Sequence, residues 1–167
     1  MFSIKIRKSI RQGFIFKSFL YLLLGTQMII GQCSQDEIEI WEYCYPINTT
    51  YELNLSSHGL TGSIPLEIMV LTNLMFLDLS DNELEGNIPT QIGNLANLLG
   101  LDLSNNLLSG EIPEELGNLS NLMTIDLSQN ELSGNITGEI GNISSLVDLR
   151  LSDNHLSGEI PEEIGQL

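Results

Sequence analysis

The sequence predicts an α/β repeat solenoid, a pile of short coils that each give one strand to a parallel sheet. Three observations carry this prediction. The stretch Leu101-Asp102-Leu103-Ser104-Asn105-Asn106-Leu107-Leu108-Ser109-Gly110-Glu111-Ile112-Pro113 returns, little changed, every 24 residues. One place in every unit is Gly, and another is Asn in four units of the five. Phased on that period the units are 50–73, 74–97, 98–121, 122–145 and 146–167, the last two residues short. So small a unit cannot bury its own apolar side, so neighbours must stack into one continuous core.

The strand comes first in each unit. Leu53-Asn54-Leu55, Leu77-Asp78-Leu79, Leu101-Asp102-Leu103, Ile125-Asp126-Leu127 and Leu149-Arg150-Leu151 alternate apolar and polar, the period of a short strand with one buried face. The turn follows, at His58, Asn82, Asn106, Asn130 and Asn154. A buried Asn donates and accepts, so a stacked column can satisfy backbone groups of its own turn and of the next coil. A neutral imidazole cannot copy an amide, so His58 marks a weaker end of the column. Next comes the invariant Gly: Gly62, Gly86, Gly110, Gly134 and Gly158. Glycine at one place in every unit suggests a backbone angle or a close approach that a Cβ forbids. Ile-Pro then biases the chain to extended geometry, except that Thr137 stands in for Pro and should loosen the fourth unit. A short helical turn should follow, ended by Gly93, Gly117, Gly141 and Gly165, with Met69 in the first unit.

These residues resemble the plant-type leucine-rich repeat family, whose pattern reads LxxLxLxxNxLxGxIPxxxGxLxx. The resemblance implies a right-handed curved coil, with the sheet on the concave side and 3₁₀ or irregular segments on the convex side. It also implies an extracellular binding module for a protein or peptide ligand, similar to receptor-kinase ectodomains or secreted polygalacturonase inhibitors. Similar repeats occur in microbial surface proteins. The alternative is therefore a structural or adhesive surface array without a signalling role.

The ends differ from the repeats. Residues 1–31 combine Lys5, Arg7, Lys8, Arg11 and Lys17 with an apolar run from Phe19 to Ile30, the arrangement of a secretory signal. A retained membrane anchor is the competing reading, although the apolar run is short for a bilayer. Residues 32–49 hold the two cysteines, Cys33 and Cys44. An even pair in an exported chain suggests a disulfide, and the first coil needs a cap; two free thiols are the alternative. The family places a Cys-flanked cap with a Trp here, and Trp41-Glu42-Tyr43-Cys44 looks similar. At the other end the pattern stops inside a unit, so a longer array or self-association is expected to cover the last coil. The expected location is secreted or at the cell surface.

Charge narrows the partners. The net charge is −16. Without residues 1–31, 22 carboxylates face the single cation Arg150, a net charge of −21. Such a surface repels phosphate backbones and anionic membranes, so no nucleic acid is expected, and a membrane only through the leader or a downstream segment. Basic partners, or simple solvation, fit. No Lys follows residue 17, which excludes a kinase domain within these residues.

Candidate contacts lie on the concave strands. The fifth place of each unit reads Asn54, Asp78, Asp102, Asp126 and Arg150, and the third reads Glu52, Phe76, Gly100, Thr124 and Asp148. Three carboxylates on adjacent strands repel, so either a cation or basic side chain sits there or water screens them. The third place and the eighth, Ser57, Asp81, Asn105, Gln129 and Asp153, vary on a rigid scaffold, which suits recognition. Phe76 is either a partner's anchor or partly covered by its neighbours. No Ser, His and acid fall in register, His58 and His155 lie four coils apart, and no phosphate-cradling loop occurs, so no enzyme, cofactor or metal site is assigned. Sequons at Asn48, Asn54, Asn118, Asn135 and Asn142 would carry glycans only in a host that glycosylates exported chains.

Overall fold

Leu77, Leu101 and Ile125 lie directly opposite one another on adjacent parallel strands, with Leu53 and Leu149 completing the row. That row is the inner wall of a coil stack in a computed structural model that describes residues 33–166. The leader expected over residues 1–31 lies outside the described residues.

The described chain opens with a hairpin, β1 (Glu37–Ile40) and β2 (Tyr43–Pro46), paired antiparallel. Trp41 and Glu42 form its two-residue turn with φ of 45° and 67°. Ile40 is 1 % exposed and closes the apolar end of the first coil, with Trp41 and Tyr45 packed beside it. Burial raises the Tyr45 phenol above its ordinary pKa. Cys33 and Cys44 are joined as a disulfide.

Each coil then lays down two strands and a 3₁₀ turn. The first holds β3 (Glu52–Asn54) and β4 (Thr61–Gly62). The second holds β5 (Phe76–Asp78) and β6 (Glu83–Asn87), the third β7 (Gly100–Asp102) and β8 (Leu107–Gly110). The fourth holds β9 (Thr124–Asp126) and β10 (Glu131–Asn135), the last β11 (Asp148–Arg150) and β12 (His155–Ser157). Strands β3, β5, β7, β9 and β11 make the concave parallel sheet. Strands β4, β6, β8, β10 and β12 make a second five-stranded sheet, which the pattern did not announce. Its strands begin where the ladder Asn has turned the chain, and Gly at its far end takes φ of 78° to 81° in each coil. Only Gly holds that angle without strain.

The 3₁₀ turns are Leu66–Val70, Thr90–Asn94, Glu114–Asn118, Gly138–Asn142 and Glu162–Gln166. The second glycine of each unit does not end them as expected. Gly93 lies inside its turn without a positive φ, and a Cβ there would stand 2.7 Å from the Glu115 carbonyl oxygen of the next coil. Gly117 and Gly141 meet Glu139 and Glu163 in the same way. These glycines let adjacent convex turns approach, which is a packing role rather than a capping one. Thr137, expected to loosen its turn, keeps φ −73° and ψ 137°, close to the −62° and 131° of Pro113. It also accepts a hydrogen bond from the Glu139 N–H, a cap the prolines cannot offer. The loosening is confined to one bond. Ile140 N to Thr137 O is 3.4 Å, against 3.0 Å for Ile92 N to Pro89 O.

Candidate functional site: the concave sheet

The concave face can vary because the scaffold is held elsewhere. Asn106 is 6 % exposed, and its amide group donates to the carbonyls of Leu79, Leu103 and Ser104 while its oxygen accepts from Leu84 N–H. Asn130 repeats this with Leu103, Leu127, Ser128 and Leu108, and Asn154 with Leu127, Leu151, Ser152 and Leu132. Asn82 instead accepts from both His58 N–H and Leu60 N–H. His58 joins the column only through its backbone. Its ring nitrogen meets Ser56 O of its own coil at 2.7 Å and does not cross to another.

A second amide row escaped the sequence reading. Asn73, Asn97 and Asn121 each donate to a carbonyl 25 residues earlier, those of Asn48, Thr72 and Ala96. Their signal was Asn at the last place of three successive units, lost at Ser145. The eighth place carries a backbone constraint as well. Ser57, Asp81, Asn105, Gln129 and Asp153 all take φ between 53° and 57°. Left-handed backbone favours Asn and Asp, so turn geometry restricts these positions beside any recognition role.

Outward residues of the concave strands surround a shallow trough of about 300 Å³. Phe76, Asp78, Gly100, Asp102, Thr124, Asp126, Asp148 and Arg150 line it; Glu52 and Asn54 share the sheet but lie outside the trough. Gly100, the third-place residue without a side chain, lies in the trough between Phe76 and Thr124. A Cβ there would stand 3.0 Å from the Phe76 ring and 3.2 Å from Thr124 Oγ1. The ring leans over the glycine while Phe76 stays 47 % exposed, so Phe76 is both propped by its neighbour and open to solvent.

The carboxylate column is stabilised locally. One oxygen of each Asp accepts from the N–H and hydroxyl of the Ser two residues on: Asp78 from Ser80, Asp102 from Ser104, Asp126 from Ser128. At one end Asn54 donates to the second oxygen of Asp78 at 2.8 Å. At the other, Arg150 lies 3.5 Å from Asp126 and 2.7 Å from Asp148. The Asp148 contact, and then the charges of Asp148 and Asp126, push the Arg150 pKa further up and keep it cationic. Among the described residues the second oxygen of Asp102 meets no donor. The column thus carries its free acceptor at its midpoint.

The five sequon asparagines are exposed. Asn54 is engaged with Asp78 and Ser56 on the concave sheet, and Asn118 and Asn142 end successive 3₁₀ turns on the convex side. No group of His, Cys, Asp and Glu among the described residues is arranged to hold a metal ion. No helix among them is long and apolar enough to cross a membrane.

Comparison with known proteins places this architecture. The family pattern described as Leucine Rich Repeat matches residues 73–95, 97–119, 121–143 and 145–167. Among solved structures, the TDR receptor is 38 % identical at a TM-score of 0.71, over 73 % of this chain and 22 % of its own. The ectodomain of Arabidopsis receptor kinase HAESA, solved with an IDA peptide hormone, is 46 % identical at a TM-score of 0.66, over 68 % of this chain and 19 % of its own. The BIR2 ectodomain from Arabidopsis thaliana is 43 % identical at a TM-score of 0.65, over 66 % of this chain and 58 % of its own. The chain therefore spans between about a fifth and three-fifths of these relatives. No curated protein matches it.

Proposed function

The chain belongs to the leucine-rich repeat family, and from that premise we propose that it is an extracellular binding module whose concave sheet recognises a protein or peptide, as a receptor-like or inhibitor-like protein does. The observation that carries the reading is the trough: varied outward side chains on strands whose inward side chains and ladder amides are nearly invariant. A rigid scaffold presenting variable groups is suited to recognition. The relation to a receptor ectodomain solved with a peptide hormone supports the same ligand class. Export by the leader and glycans on the exposed sequons complete the proposal, with no catalytic step assigned.

The test is selection of displayed random peptides on the immobilised full chain, followed by affinity measurement on Phe76→Ala/Thr124→Ala/Asp148→Ala. Selected peptides should bind the triple variant at least about tenfold more weakly. Equal affinity for parent and variant would move the site off this face.

A further inference from the structure

The second place of every unit is apolar: Tyr51, Met75, Leu99, Met123 and Val147. The family pattern does not demand this, and the structure leaves these residues largely uncovered. Tyr51 is 53 % exposed, Met75 36 %, Met123 47 % and Val147 80 %, with Leu99 half-buried. Each precedes its concave strand by one residue, and their backbones are joined coil to coil: Tyr51 O accepts from Met75 N–H, Met75 O from Leu99 N–H, Leu99 O from Met123 N–H and Met123 O from Val147 N–H. A continuous apolar stripe therefore runs along one margin of the sheet, beside the trough. Exposed apolar surface in an unbroken row marks an interaction site more often than scattered residues do.

We infer that the stripe and the carboxylate column together take an extended peptide segment laid across the strands, with apolar side chains along one edge and basic side chains along the other. This deepens the proposed function and rests on it. The two rows stand three residues apart along each coil, the stripe just before the strand and the column at its last residue, about 10 Å at the rise of extended chain. An extended peptide with leucine on one edge and lysine on the other spans a comparable width. Five coils at about 4.8 Å spacing reach roughly 19 Å, enough for about six extended residues, or three side chains on each edge. Charge fixes the second edge: Asp78, Asp102 and Asp126 form the parallel row, closed at one end by Arg150 against Asp126, and Asp102 holds the free acceptor oxygen at its midpoint. An acidic peptide would be repelled there. Gly100 and the Phe76 ring give the peptide backbone a floor between the rows.

The probe is a synthetic peptide of alternating leucine and lysine, compared with one of the same composition in two blocks, by fluorescence anisotropy on the full chain at low salt. The alternating peptide should bind about tenfold more tightly than the blocked one. Met75→Ser/Met123→Ser and Asp102→Asn/Asp126→Asn should each weaken it by about tenfold, with unchanged circular dichroism because all four side chains reach solvent. Equal binding of the two peptides, or loss only in the Asp pair, overturns the stripe and leaves the concave face standing. Loss in neither pair overturns both. No binding of the alternating peptide at millimolar concentration overturns the inference, while the library selection still tests the concave face separately.

Discussion

The core wall and the trough floor are built from alternate residues of the same five strands, yet they obey opposite rules. Facing in, Leu53, Leu77, Leu101, Ile125 and Leu149 are interchangeable in chemistry and nearly all sealed from water. Facing out, Glu52, Phe76, Gly100, Thr124 and Asp148 share no property. Strand pleating separates the two sets by a single residue, so tolerance on one face costs the other nothing. Stability and recognition can therefore change independently in this molecule.

That contrast should break first at the core. Leu101→Ala removes a side chain 2 % exposed at the centre of the stack and should lower the free energy of unfolding in urea by about 3 kcal/mol. Thr124→Ala, on the neighbouring strand but facing out, should change it by less than about 0.5 kcal/mol. Similar losses in the two variants would end the distinction. Asn106→Ala strands a buried N–H and carbonyls that water cannot reach, and should cost about 2 kcal/mol. Asn82→Ala removes an amide that is only half-buried and should cost less in the same assay.

Gly117→Ala sharpens the comparison on the convex side, where the backbone of the next coil blocks a Cβ. We expect a loss of about 1–2 kcal/mol in thermal unfolding, from strain that the neighbouring turn must absorb. Gly165→Ala, with nothing within 4 Å, should be close to neutral. Equal effects would mean that close approach is not what glycine supplies there.

The smallest effect is expected at Thr137→Pro. The backbone already holds φ −73°, so proline should gain about 0.5 kcal/mol through the unfolded chain but lose the Thr137 cap, leaving stability within about 0.5 kcal/mol of the parent. It also deletes the hydroxyl that lowers the Glu139 carboxyl below its ordinary pKa. A lowered carboxylate stabilises above the unfolded pKa and loses that contribution as pH falls through the folded value. The parent should show this small acid-side decline near the carboxylate range, and the proline variant should lack it.

Much of this was legible in the residues because the stack repeats. Leu-Asp-Leu announced the concave strands, and Asn at one fixed place announced the amide column. The second sheet was not legible: its strands, such as Leu107–Gly110, mix apolar, polar and Gly without a clean alternation. The trough's edges were equally hidden. Asn54 and Asp78 share a column, yet only Asp78 borders the trough. The apolar stripe had a signal, five apolar residues at one place, that meant nothing until exposure was known.

The chain alone determined its period, the inward rows and the amide column, because each must recur in every coil for the coils to stack. Only the folded stack decided which glycines ease close approach, which carboxylate oxygen stays free and which apolar row faces water. Those depend on what the neighbouring coil places opposite, some 24 residues away, and no local pattern records it.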